Sequence, residues 1–322
     1  GARNIDKIKE DTKNFEKEHV GDIISGVLGL SKNVAKSKKE KGENSKKAWD
    51  TFFKKAHTAK NEVKVAIVGK YFDTGDFVLS DAYLSVIEAV KFSAYSLNKK
   101  PVITWINSGE YEVEGKVTQQ EVKKRLQDLN NYDGVIVPGG FGSRGIAGKL
   151  EVIRYVRENK IPYLGLCYGM QLAVIEYARN VAGIKDATSK ELDEEAKDDV
   201  ITIMESQKEK LGSSDYGGSM RLGAYTAKLK EGSVVEKIYS SSTISERHRH
   251  RYEVNPKYIK QIEESGLVFS GTSPDGKLME FIELPKKVHP FFVATQAHPE
   301  FKARPLDPHP LFTAFLQASG KK

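Results

Sequence analysis

The sequence has little of three features that mark common protein classes: cysteine, long apolar runs and phosphate loops. One of its 322 residues is cysteine, Cys167, which excludes an internal disulfide and a cysteine-rich metal site. No run approaches the roughly 18 apolar residues of a membrane-spanning helix, and the mean hydropathy is −0.49. No G-x-x-x-x-G-K-[ST] loop occurs. We therefore predict no metal site and no membrane partner, and the lone cysteine favours a reducing, cytoplasmic setting.

The excess positive charge lies at the start of the chain. Residues 1–60 carry 15 Lys and Arg against 9 Asp and Glu, whereas the remainder carries 36 against 35. Because the body is nearly neutral, we predict no nucleic-acid partner. Residues 1–60 are predicted to form a basic leader, partly helical or mobile, and 61–322 a single domain. Within the leader, the lysine-rich run 31–47 is expected to be mobile, and a short helix is expected around Trp49, Phe52 and Phe53.

From Val63 onward, apolar strands alternate with amphipathic helices. Strands are predicted at 63–69, 102–106, 135–137 and 163–166, and helices at 83–97, 118–129 and 150–159. This alternation predicts an α/β fold with a mostly parallel central sheet covered by helices on both faces. After Val181 the pattern weakens, and short strands return at 267–270, 279–282 and 292–295. Ligands of such folds bind at the carboxyl ends of the strands.

The segment 165–173 has the sequence of a nucleophile elbow with cysteine as the nucleophile. An apolar strand runs into Gly165-Leu166-Cys167-Tyr168-Gly169, and a helix follows. Glycines are needed because the turn leaves no space for Cβ atoms. The turn would place the sulfur at a helix N-terminus, where the dipole favours the thiolate. We therefore predict that Cys167 is a nucleophile rather than an inert core residue.

A cysteine nucleophile needs a base and an oxyanion hole. Among seven histidines, His298 stands directly after a predicted strand, and Glu300 can orient its ring. The glycine-rich turn after the third strand offers the amide of Gly140, and the elbow offers that of Tyr168. The predicted catalytic residues are therefore Cys167, His298 and Glu300, with Gly140 and Tyr168 as oxyanion donors.

Several longer stretches resemble one family. Together with Cys167, His298 and Glu300, these stretches resemble class I, triad-type glutamine amidotransferases. The more detailed resemblance, over about residues 62–318, is to the glutaminase domain of CTP synthases. That resemblance implies a flavodoxin-like α/β fold, and residues 21–30 with Trp49 resemble the linker that joins the two domains of those enzymes. The stretches are 66–71, 81–86, 137–145, 169–173, 218–223 and 246–255.

The resemblance implies glutamine hydrolysis to glutamate and ammonia through a cysteine thioester, with ammonia aminating UTP to CTP in the full-length enzyme. It places substrate recognition at Gln171, Glu191 and Arg251. It also implies GTP as an allosteric activator, with Arg144 and the glycine-rich segment 207–223 as candidate contacts. We expect no cofactor in this chain, because ATP, UTP and Mg²⁺ belong to the synthetase domain, which nothing here resembles. The chain alone should not make CTP.

The implied partners are glutamine, the synthetase domain of the same enzyme, and further copies of the full-length enzyme in a homotetramer and, by further association, a filament. Two alternatives stay open from the sequence. One is a stand-alone γ-glutamyl hydrolase of the same fold, which would turn over fully without a partner domain. The other is a non-catalytic assembly module, although a scaffold has no need of Cys167, His298 and Glu300 together.

Overall fold

The computed structural model describes residues 14–15, 17–29, 36–69, 83–113, 117–140, 142, 145–203 and 220–320, with backbone only for 36–43. The helices are α1 (Val20–Val27), α2 (Lys36–Thr58), α3 (Leu84–Ser96), α4 (Gln119–Asp128), α5 (Ile146–Glu158), α6 (Tyr168–Asn180), α7 (Val234–Tyr239), α8 (Pro256–Glu264) and α9 (Pro310–Ser319). The strands are β1 (Asn61–Gly69), β2 (Lys99–Asn107), β3 (Gly134–Val137), β4 (Tyr163–Leu166), β5 (Thr188–Ser189), β6 (Asp199–Ile203), β7 (Arg221–Leu229), β8 (Thr243–His250), β9 (Tyr252–Val254), β10 (Val268–Thr272), β11 (Met279–Glu283) and β12 (Phe292–Thr295).

The main sheet has nine strands in the order β2-β1-β3-β4-β12-β11-β10-β7-β8. The first five strands of that order pair in parallel, as predicted. The last four extend the sheet by antiparallel pairing. A separate three-stranded sheet has the order β5-β6-β9. The carboxyl ends of β3, β4 and β12 therefore lie side by side at one edge of the parallel part.

Helices cover both faces of the sheet, as predicted. Alternate residues of β1 belong to two apolar clusters: Val63, Val65 and Ile67 to one, Ala66 and Val68 to the other. Residues of α3, α7 and α9 complete the first cluster, and residues of α4, α5 and α6 complete the second. A capping box between Thr118 and Glu121 forms at the start of α4. A sheet covered in this way holds the loops at its carboxyl edge on a rigid base.

Helix α2 is longer than the short helix that the aromatic residues predict. It begins at Lys36 and runs through most of the lysine-rich segment that we expected to be mobile. Lys and Glu are good helix formers, so a helix docked at one end can extend through them. The docked end is apolar: Phe52 and Phe53 are buried, and the Phe52 ring lies 6.1 Å from Phe92 and 5.9 Å from Tyr95 of α3. The division between leader and domain at residue 60 stays a prediction.

The antiparallel extension was not predicted from the sequence. Strands β7 and β8 pair along eight residue pairs, from Arg221 opposite His250 to Lys228 opposite Thr243. The buried residues of β8 are Glu246, His248 and His250, so no alternation of hydropathy marks the strand. Over the described ranges, no helix is long and apolar enough to cross a membrane.

Candidate active site

Cys167 occupies the sharp turn between β4 and α6. Its backbone has φ 49° and ψ −99°, a conformation that residues with a side chain rarely adopt. The Cys167 N–H donates to the Thr295 carbonyl of β12 at 2.7 Å, which fixes the turn to the neighbouring strand. Because α6 begins at the next residue, the thiol lies at a helix N-terminus, where backbone N–H groups have no intrahelical acceptor.

Two glycines give the elbow the space it needs. A Cβ on Gly169 would lie 2.1 Å from the Val137 carbonyl oxygen. A Cβ on Gly165 would lie 2.7 Å from the Tyr163 hydroxyl and 2.8 Å from the Ala294 Cβ. These distances are well below van der Waals contact, and the atoms that a Cβ would meet belong to the backbone or to packed core side chains. The expectation that steric crowding requires glycine on both sides of the cysteine is confirmed.

His298 and Glu300 follow β12 and reach the same turn. The Nδ1 atom of His298 lies 2.7 Å from Oε1 of Glu300, and both side chains are buried. The glycine turn after β3 closes over them: a Cβ on Gly139 would lie 2.8 Å from His298 Cε1 and 3.6 Å from Cys167 Cβ. The structure thus brings His298 and Glu300 to Cys167, which the sequence places more than a hundred positions earlier.

The electrostatics of His298 favour the imidazolium. Burial disfavours its charged form, but the charge of Cys167, hydrogen bonding to Cys167 and the Glu300 carboxylate outweigh burial and raise the pKa of His298 to about 10. At neutral pH the ring can therefore donate a proton beside Cys167.

The two predicted oxyanion donors flank the cysteine. Gly140 and Tyr168 both line the cavity into which Cys167 opens. Tyr168 is the first residue of α6, so its N–H has no intrahelical acceptor. A Cβ on Gly140 would lie 3.8 Å from the Tyr168 ring. Both residues therefore lie beside the cavity that Cys167 lines, and their role as oxyanion donors stays a prediction.

The cavity beside Cys167 has a volume of about 390 Å³ and contains all three predicted substrate-binding residues. It offers the carboxylate of Glu191 together with the guanidinium groups of Arg249 and Arg251. An amino acid carries one ammonium and one carboxylate, so both charges can find a partner here. The lining residues are Gly140, Cys167, Tyr168, Gln171, Glu191, Met220, Arg249, His250, Arg251 and Tyr252.

Gln171 presents an acceptor to this cavity. Its Nε2 donates to the Tyr252 carbonyl at 3.1 Å and to Oε1 of Gln296 at 3.3 Å. Its buried Oε1 has no hydrogen-bond partner within the described part of the chain. A buried acceptor of this kind is suited to an N–H of a bound ligand. Gln296, which also lies 3.7 Å from the Cys167 sulfur through its Nε2, was missed by sequence reasoning.

The predicted effector residue cannot be compared with the structure. Arg144 lies outside the described residues, and so does the glycine-rich segment 207–223 up to residue 219. Met220, the first described residue after that gap, lines the cavity. Across the described ranges, no group of three His, Cys, Asp or Glu side chains could hold a metal ion.

A buried ionic network behind the cavity was also missed. Arg221 donates to Glu253 at 3.0 Å and to Glu280 at 2.8 Å. His248 and His250 lie against the same carboxylates at 3.5 Å and contact each other at 2.9 Å. Burial raises the pKa of Glu253 to about 8 although Arg221 opposes it, and burial lowers the pKa of His248 to about 3. The network includes residues of β8 and β9, and the cavity arginines lie in β8 (Arg249) and between the two strands (Arg251).

We expect Arg221→Met to lower the free energy of unfolding by about 3–5 kcal/mol near pH 8, because two buried carboxylates lose their cation. The loss should be smaller near pH 5. A carboxyl whose folded pKa is raised stabilises the fold below its unfolded pKa, and that contribution is lost as the pH rises toward the folded pKa. Chemical denaturation at both pH values measures this, with Arg154→Met, at an exposed ion pair with Glu151, as the control. An equal loss at pH 5 and pH 8 would contradict the account.

The arrangement of thiol, imidazole and carboxylate beside a cavity of amino-acid size defines an enzyme that cleaves amides through cysteine on an α/β sheet. Comparison with known proteins agrees: the chain belongs to the glutamine amidotransferase class-I family, whose sequence profile matches residues 78–318. Among its relatives are CTP synthases, so the resemblance noted from the sequence is confirmed.

Three of these relatives show how far the likeness extends. The CTP synthase of Corynebacterium jeikeium is 51% identical over 85% of this chain and 47% of its own length. That of Methanococcus aeolicus is 45% identical over 99% of this chain and 55% of its own. A solved structure, the glutaminase domain of Trypanosoma brucei CTPS with bound acivicin, is 38% identical, has a TM-score of 0.71, and is matched over 94% of its length. The chain thus spans about half the length of the curated relatives and nearly all of that glutaminase domain.

Proposed function

We propose that this domain hydrolyses glutamine to glutamate and ammonia through a thioester at Cys167, and that in a longer protein the ammonia aminates UTP to CTP. The observation that carries the proposal is the position of Cys167 at a cavity that also holds Gln171, Glu191 and Arg251, with His298, paired with Glu300, beside Cys167. The likeness to CTP synthases supports the same substrate.

In acylation, the Cys167 thiolate attacks the side-chain amide carbon of glutamine. The carbonyl oxygen becomes an oxyanion that accepts hydrogen bonds from the N–H groups of Gly140 and Tyr168. As the C–N bond breaks, the imidazolium of His298 gives its proton to the leaving nitrogen, which departs as ammonia. The products of this step are a glutamyl thioester and a neutral His298, whose ring Glu300 keeps in orientation.

In deacylation, His298 takes a proton from a water molecule as that water attacks the thioester carbon. The second oxyanion uses the same two donors, and the C–S bond breaks to release glutamate. The thiolate and the imidazolium are restored together, which is the resting state that the raised pKa of His298 favours. The sum is glutamine and water converted to glutamate and ammonia.

Recognition of the amino-acid end follows from charge. Glu191 would accept from the α-ammonium group, Arg251 would bind the α-carboxylate, and Gln171 would accept a further N–H through its buried Oε1. Because these groups and Cys167 line one cavity, a substrate with a shorter side chain could not bind all of them and still place its carbonyl at Cys167. Length selection of this kind favours glutamine over asparagine.

The remaining assignments rest on family membership. We propose residues 1–60 as an interdomain linker and 61–322 as the glutaminase domain. Its partner would be a synthetase domain that binds ATP, UTP and Mg²⁺, and GTP would activate hydrolysis, with Arg144 as a candidate contact. We also propose a cytoplasmic location, a homotetramer and, by further association, a filament.

We expect the chain by itself to be a poor glutaminase even at saturating glutamine. The reason is that the loops around its active site need contacts with the synthetase domain to become ordered for catalysis. The test is glutamate release from glutamine by this chain alone, with GTP, and with an added synthetase domain plus its nucleotides. Stimulation of at least about tenfold in the last condition supports the coupling. Full turnover without a partner would support the stand-alone hydrolase instead, and no turnover under any condition would support an assembly module.

A further inference from the structure

Gly142, in the turn that carries the candidate oxyanion donor Gly140, has both of its backbone polar groups hydrogen-bonded to side chains. Its N–H donates to Oε1 of Glu191 at 2.9 Å, and its carbonyl accepts from the Tyr168 hydroxyl at 3.0 Å. Gly142 has φ 77°, in the left-handed region. A glycine with this freedom has many alternative conformations, so the two side chains select one.

The Tyr168 side chain is built into the site rather than lying on the surface. Its exposed fraction is 1%, and a Cβ added to Gly140 would lie 3.8 Å from its ring. On its face lies the ammonium group of Lys149, 5.4 Å from the ring centroid, on a side chain with no exposed surface. A buried ring with a cation on its face can aim its hydroxyl in one direction.

Tyr168 therefore contributes to the oxyanion hole in two ways. Its backbone N–H is one of the two candidate donors, and its hydroxyl holds the turn that supplies the other donor, Gly140. The separation of two donors determines how well they fit an oxyanion, and a misplacement of about 1 Å is enough to lose most of the benefit. A single residue linked to both donors keeps their separation constant.

We propose that the Tyr168 hydroxyl is a positioning group for glutamine hydrolysis, which fixes the Gly140 donor relative to the Tyr168 N–H through the Gly142 carbonyl. Glu191 completes the arrangement from the substrate side. A carboxylate accepts several hydrogen bonds at once, so Glu191 can hold the Gly142 N–H and a substrate ammonium together. Binding of the amino-acid end then supports the turn that stabilises the oxyanion. This inference rests on the proposed function.

The test is Tyr168→Phe, which removes the hydroxyl and keeps the ring and both backbone donors. We expect kcat for glutamate release to fall about tenfold, the effect of losing one hydrogen bond of about 1.4 kcal/mol in the transition state. KM should change less than about threefold, since the hydroxyl does not contact the amino-acid end. Alkylation of Cys167 by iodoacetamide should keep its rate, because that reaction forms no oxyanion.

The matched control is Tyr177→Phe, on the same helix. Tyr177 also donates to a carbonyl, that of Ser265 at 2.8 Å, but it does not line the cavity. It should lose stability to a similar degree and keep kcat. A Tyr168→Phe variant with unchanged kcat, or one whose alkylation rate falls as much as its kcat, would overturn the inference. Absence of glutamate release by the unmodified protein, alone and with the synthetase domain, would instead overturn the proposed function.

Discussion

Substitution of Cys167 by serine is expected to abolish glutamine hydrolysis, with a fall in kcat of about 10⁴-fold or more. A serine hydroxyl is far less ionised than a thiol near neutral pH, and the elbow offers it no additional base. The substitution also removes the thiolate whose charge helps to raise the pKa of His298. The variant therefore loses the nucleophile and the proton donor of acylation together.

The fold should survive this change. Serine is slightly smaller than cysteine, and the hydrogen bond that anchors the turn is made by the backbone N–H to the Thr295 carbonyl. The measurement is ammonia release together with a thermal melt. Activity retained in the serine variant, at an unchanged melting temperature, would show that another residue is the nucleophile.

His298→Ala should have the next largest effect, a fall in kcat of about 10³-fold, because the ring serves as acid in one step and base in the other. The pH dependence is informative too. A histidine whose pKa is raised to about 10 keeps its proton throughout the range from pH 6 to pH 9. Loss of the His298 proton should therefore not lower the acylation rate of the unmodified enzyme in that range.

The control for His298→Ala is His309→Asn. His309 is also buried, and its Nε2 lies 2.9 Å from the Glu246 carboxylate, whereas His298 is paired with Glu300 and interacts with Cys167. Asparagine can replace it as the N-cap of α9. Its activity should stay within about twofold of the unmodified protein. An equal loss in both variants would mean that His298 acts on the fold and not on the chemistry.

The parts of the site that lie close together in the sequence could be predicted. The strand, the glycine-flanked cysteine and the following helix form one continuous segment, which the local sequence marks. The crowding that requires its glycines comes from neighbouring strands as well, because a Cβ on Gly169 would meet the Val137 carbonyl oxygen and a Cβ on Gly165 the Ala294 Cβ. His298 and Glu300 are likewise two positions apart. His298 and Glu300 lie close to Cys167 because β4 and β12 are neighbouring strands. The resemblance to a known family, rather than the pattern of strands, indicated that the three residues belong to one site.

The parts that depend on long-range pairing could not be predicted. Arg221 bonds to Glu253 and Glu280, which are 32 and 59 positions away, and nothing local in the sequence marks the three as a set. Strand β8 alternates, but its buried positions are Glu, His and His, so a search for apolar periodicity misses it. The Tyr168 hydroxyl is a third example, since its carbonyl partner is 26 positions earlier.

The central claim is that Cys167 is a reactive thiol inside a glutamine site, and covalent labelling of the native protein tests it most directly. The reagent is a glutamine analogue with an electrophilic carbon at the amide position, and the readout is intact mass with peptide mapping. With one cysteine in the chain, thiol labelling has no competing position. The account predicts a single adduct at Cys167 that free glutamine slows and that forms more slowly in His298→Ala. No adduct before unfolding, or an adduct whose rate glutamine leaves unchanged, would contradict it.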